Sequence, residues 1–66
     1  SGDNLKQITG IGPALEKKLK ENGISTFKQL AELSKEDIAR LEEKVIRFPG
    51  RIKRERWVQQ AKTLTT

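Results

Sequence analysis

Two glycines separated by one residue and followed at once by proline, Gly10-Ile11-Gly12-Pro13, constrain this chain more than any other stretch. Glycine reaches backbone angles closed to other residues, so the chain can reverse sharply here. Pro13 has its φ preset for a first helical position, where its missing N–H would be unpaired anyway. The amides of Gly10, Ile11 and Gly12 then lie at the N-terminus of the helix that Pro13 opens, an arrangement suited to an anion and above all to phosphate. The plainer reading is that the glycines only permit a tight turn between helices, with Ile11 plugging the gap.

Helices are legible on both sides of the turn. Upstream, Asp3 is a candidate N-cap, with Leu5 and Ile8 three apart on one face. Downstream, Leu15 and Leu19 repeat at four residues, and Gly23 stops the helix. After the link Ile24-Ser25-Thr26, Phe27, Leu30 and Ala31 form the stripe of a third short helix, capped by Thr26 or Ser25 and ending near Glu32. Ser34-Lys35-Glu36-Asp37 predicts a capped start for a fourth, with Asp37 at the third helical position. Ile38, Leu41 and Val45 carry that helix inward.

Pro49-Gly50 then forbids continuous helix. Phe48 and Ile52 are expected to fold back onto the core. A last helix is expected from about Lys53 to Leu64, with Trp57, Val58, Ala61 and Leu64 on its apolar stripe. Ile52, five residues before Trp57, has the spacing of a hydrophobic staple. Trp57 reads as a core residue more readily than as a base-stacking platform. The expectation is one all-α domain of five short helices over residues 3–64, with Ser1-Gly2 an expression scar or linker.

Chemistry is bounded by what is missing. The chain has no histidine, cysteine or tyrosine, so disulfides, zinc clusters and the usual near-neutral bases and nucleophiles are excluded. The carboxylates sit among lysines at helix-surface spacing, as in Glu16–Lys20, Lys17–Glu21 and Glu36–Arg40. The expectation is a non-enzymatic, cofactor-free, cytoplasmic module without a membrane span or signal peptide. Charge is uneven: of the net +5, residues 1–43 carry −1 and residues 44–66 carry +6. Such asymmetry points to a polyanion-facing end, or to a solvated face that only confers solubility.

The pattern Leu5, Ile8, Gly10, Ile11, Gly12, Leu15, Leu19 resembles the helix-hairpin-helix motif. Leu30 and Leu33 precede the turn at Ser34 as Leu5 and Ile8 precede the first, so the chain is similar to a tandem helix-hairpin-helix domain whose second hairpin has lost its glycines. The fold so implied is the SAM-like bundle of the N-terminal domain of RecA-like recombinases. Phe48-Pro49-Gly50-Arg51-Ile52 and Trp57-Val58-x-Gln60-Ala61-Lys62 resemble the subgroup appended to some bacterial ribosomal and NADH dehydrogenase subunits. The resemblance implies sequence-independent binding of nucleic-acid backbone, DNA before RNA, by Gly10, Ile11 and Gly12. Lys17, Lys18, Arg51, Lys53 and Arg54 are the candidate supporting cations. It also implies that the carbonyls of the Thr9–Gly12 hairpin can hold a monovalent cation. Ala14 stands where binding members commonly carry a basic residue, and Glu16 where they carry a small one, so weak binding is expected. A protein-docking or ribosome-docking module is the alternative.

Overall fold

The computed structural model describes residues 2–65; Ser1 and Thr66 lie outside the described residues. All regular structure in this range is helical. A 3-10 turn, Leu5–Gln7, is followed by α1 (Pro13–Glu21), α2 (Phe27–Ala31), α3 (Lys35–Leu41) running into a π-helical turn (Glu42–Ile46), α4 (Arg51–Arg54) and α5 (Trp57–Leu64). The expected all-α class stands, with its five helices divided differently. The opening segment tightens to a 3-10 turn, and the expected last helix is two.

Local chemistry explains most boundaries. Thr26 and Gln29 cap α2 reciprocally, as do Ser34 and Asp37 for α3. Each box satisfies amides that helix geometry leaves without partners. Gly23, at φ +86°, releases α1. Asp3 does not cap the first turn. Asn4 does so, accepting from the Lys6 amide at 3.3 Å, while the Asp3 carboxylate reaches across to the Phe27 amide at 2.8 Å. The N-terminal strand of chain is thus tied to the start of α2, and the Asp3 amide donates to the Ser25 carbonyl at 2.7 Å.

Leu5, Ile8, Ile11, Leu19, Phe27, Leu30, Leu41, Ile46, Ile52, Trp57 and Ala61 form one buried cluster. Trp57 is its largest fully buried side chain, as expected. α2 packs mainly on α5, and α1 lies against the 3-10 turn and the π turn. Helices this short hold by packing rather than by intrinsic propensity.

Two expectations about the C-terminal half fail. Phe48 is 46% exposed rather than buried. It follows Arg47, held left-handed at φ +58°, and precedes the Pro49-Gly50 turn, so it stands on the outside of the reversal. Its ring lies beside the guanidinium of Arg54, 5.0 Å from the ring centroid, and that of Arg51, 5.8 Å away. Ile52 is buried, yet it belongs to α4 and is no staple for α5, whose N-cap is Arg56 at φ +58°. The π turn was not expected either. It lets Glu42 serve α4, whose N-cap Gly50 has no side chain to offer: the two carboxylate oxygens of Glu42 accept from the amides of Gly50 and Ile52, each at 3.0 Å.

Candidate nucleic-acid interface

The glycine hairpin is fastened to the far end of the chain. Arg51 donates from Nη2 to the Gly10 carbonyl at 2.8 Å and from Nε to Glu55 Oε1 at 3.1 Å. The same Glu55 oxygen accepts from the Trp57 indole N–H at 3.0 Å. Gln60 accepts from the Thr9 amide at 2.9 Å and donates to the carbonyls of Thr9 and Glu55. The indole hydrogen bond, then the Arg51 guanidinium, hold the Glu55 carboxyl below its ordinary pKa. A carboxylate wedged between a buried indole and a guanidinium is favoured in its charged form.

This packing divides the two glycines. Gly10 sits at φ +105°, and a Cβ there would overlap the Glu55 carboxylate and crowd the Trp57 indole nitrogen. The fold therefore requires glycine at position 10. Gly12 is extended, at φ −98° and ψ −177°, and a Cβ there would meet nothing within 4 Å. Neither strain nor crowding accounts for glycine at position 12.

The donor set differs from the expected one. Ile11 is buried, and its amide closes on the Ile8 carbonyl at 3.0 Å, so Ile11 has neither side chain nor N–H to offer a ligand. The amides of Gly10 and Gly12 have no acceptor among the described residues. Gly12 is the N-cap of α1 without any side-chain capping bond. Glu16, in the first turn, is committed elsewhere: its Oε2 accepts from the Leu5 amide at 3.0 Å and lies 3.8 Å from Lys20 Nζ. The α3 N-terminus is the opposite case, since Ser34 and Asp37 fill it with their own side chains. That bonding, led by the Ser34 backbone amide, lowers the Asp37 pKa. A helix N-terminus already satisfied by its own carboxylate has little to give a phosphate.

The candidate cations are dispersed. Lys17 and Lys18 are exposed on α1, and Lys18 lines a surface hollow with Asn22, Lys44 and Arg47. Lys53 borders a separate, more apolar hollow with Leu33, Lys35, Ile38 and Val58. Arg54 stands over Phe48. Arg51 alone reaches the hairpin, where it acts as a structural clamp. The surface pairs also differ in part from expectation: Glu16–Lys20 forms, whereas Arg40 pairs with Asp37 at 2.9 Å instead of with Glu36. Two of the carbonyls expected to face a cation, those of Thr9 and Gly10, already accept from Gln60 and Arg51. The roles of Glu55 and Gln60 at the hairpin escaped sequence reading, because nothing local marks residues so far apart in the chain as partners. Among the described residues, no group of acidic side chains is arranged to hold a metal, and no helix is long and apolar enough to cross a membrane.

Comparison with known proteins places this geometry in context. The family model described as the RS2/RL21/YNQ2 HHH domain matches residues 5–65. Large ribosomal subunit protein bL21 of Hyphomonas neptunium is 60% identical over 63 residues, covering 96% of this chain and 30% of that protein. The bL21 of Roseobacter denitrificans is 52% identical over 62 residues, 94% of this chain and 28% of its own length. Small ribosomal subunit protein uS2 of Methylobacterium nodulans is 38% identical over 60 residues, 91% of this chain and 17% of its own length. The chain thus spans less than a third of each of these relatives. No solved structure matches it.

Proposed function

Because this chain belongs to the RS2/RL21/YNQ2 helix-hairpin-helix family, we propose that it binds the sugar–phosphate backbone of nucleic acid through the Gly10–Gly12 hairpin, weakly and without sequence specificity. One observation carries the reading: neither a Cβ contact nor a strained φ calls for glycine at position 12, and its amide is free at a helix N-terminus that has no side-chain cap. Absence of a side chain there lets a phosphate oxygen approach the N–H directly. Phosphate contacts of this kind position a domain and carry no sequence information. Lys17 and Lys18 on α1 and Lys53 and Arg54 on α4 add a salt-dependent attraction. The role is binding, with no catalytic step.

The ribosomal relatives support RNA over DNA as the polymer, and a cytoplasmic setting. They equally motivate a second reading, that the domain docks on a ribosomal protein without using its hairpin. The two separate in an amide NMR titration with short RNA at low and near-physiological salt. Backbone binding predicts shifts centred on Gly10 and Gly12 that fade with salt. It also predicts that Gly12→Ala weakens binding by about tenfold, the scale of one charge-assisted hydrogen bond, with the fold unchanged. Shifts confined to residues 47–56, abolished by Lys53→Glu with Arg54→Glu, would move the site to the basic segment. No shift with any polynucleotide would leave the docking module.

A further inference from the structure

Phe48 was expected in the core and stands outside it, connected to the hairpin through one side chain. Arg51 links the two: its guanidinium carbon is 5.8 Å from the Phe48 ring centroid, and its Nη2 is 2.8 Å from the Gly10 carbonyl. Arg54 lies 5.0 Å from the same ring. The surroundings are cationic, and the two nearby carboxylates already hold partners. Glu42 uses both oxygens on backbone amides, and Glu55 Oε1 is shared between Arg51 and Trp57. Arg47 and Arg54 form no salt bridge among the described residues. An exposed aromatic ring braced by guanidinium groups, one of which reaches across to the hairpin with its free backbone amides, offers what an unpaired nucleotide needs: a surface for its base and donors for its phosphate. A protein partner of the same patch would have to be acidic and apolar at once, and nothing in the structure calls for that combination.

We propose that Phe48, with Arg54, is a stacking platform for one unpaired base of an RNA strand whose phosphate lies at the Gly10–Gly12 hairpin. The inference rests on the backbone-binding reading and deepens it, from any nucleic acid to single-stranded RNA. Phe48 accounts for the contribution of the base, and the hairpin accounts for that of the backbone. Removing the ring therefore costs base-dependent affinity and nothing else.

The test compares a six-nucleotide uridine RNA, in which the bases stack little on one another, with an abasic ribose–phosphate strand of equal length. Affinities of both are measured by fluorescence anisotropy at low salt for the natural chain, Phe48→Leu and Phe48→Trp. The natural chain is expected to prefer the uridine strand by about tenfold, within the range of one stacked base. Phe48→Leu, which keeps an apolar side chain at an exposed position, is expected to bind both strands as the natural chain binds the abasic one. Phe48→Trp is expected to retain the preference. Amide spectra of the free variants superimposable on the natural chain outside residues 47–54 establish that the fold is kept. Equal affinity of the natural chain for the two strands, or a preference that survives Phe48→Leu, overturns the platform and leaves backbone binding standing. Binding of neither strand overturns both readings together.

Discussion

Gly10 and Gly12 look equivalent in the sequence and are opposite in the structure, which makes them a pair of controls. Gly10→Ala combines a left-handed φ with a collision against Glu55, and is expected to destabilise by at least about 2 kcal/mol. Gly12→Ala meets open space at an ordinary φ; the gain of about 0.5 kcal/mol through the unfolded chain is offset by alanine's being a poorer N-cap, so stability is expected to change by less than about 1 kcal/mol. Urea unfolding of the two variants measures both. Glu55 supplies a second residue-scale expectation. Glu55→Ala leaves the buried Trp57 indole N–H without its acceptor, at a cost of about 1–3 kcal/mol. Glu55→Gln keeps an acceptor and removes the charge. The folded-state pKa of Glu55 lies below its ordinary 4.5. Its ionic contribution is therefore complete above about that pH, and is lost as pH falls through the lowered value. Thermal unfolding followed from neutral to strongly acid pH should show the natural chain losing stability more steeply than Glu55→Gln below the ordinary value. Parallel acid limbs would mean that the carboxylate charge contributes nothing.

At the scale of elements, legibility followed the range of the interactions. The capping box at Ser34 and Asp37, the proline start of α1 and the stop at Gly23 are made by residues a few positions apart, and sequence spacing exposes them. The break between α4 and α5 is different. Nothing at Arg56 announces a left-handed residue, because the Glu55–Trp57 hydrogen bond beside it is packed against Gly10, far away in the chain. The π turn likewise answers a need of α4 for Glu42 that arises only once the elements are assembled. Of the site, the glycines were readable; the closure of the Ile11 amide on Ile8 and the recruitment of Arg51 were tertiary and were not. The local boxes make a direct prediction. Ser34→Ala should cost about 1 kcal/mol in chemical denaturation. Asp37→Ala added to it should cost less than the two single losses together, because the pair shares reciprocal bonds.

For the molecule as a whole, the uneven charge and the clamp govern behaviour together. If backbone binding is electrostatic, the logarithm of the affinity for RNA should fall linearly with the logarithm of salt concentration. Its slope should lessen by about 0.7 for each phosphate contact removed from a single strand. Lys53→Glu should reduce that slope, and Gly12→Ala should lower affinity with little change in it. Arg51 behaves differently from its neighbours, since its five donors form a rigid fork and a lysine offers only a point charge. Arg51→Lys is therefore expected to loosen the hairpin, read as faster hydrogen exchange at the Thr9 and Ile11 amides, while net charge is unchanged. The clamp also has a meaning in time. Its bonds join Thr9 to Gln60 and Gly10 to Arg51, with sequence separations of 51 and 41 residues, so they close long loops at a cost in chain entropy. During synthesis the glycine turn is made before the partners that set its shape, which follow 41 and 51 residues later. Only after Gln60 has been added does the hairpin acquire its geometry, so it is among the last parts of the domain to mature.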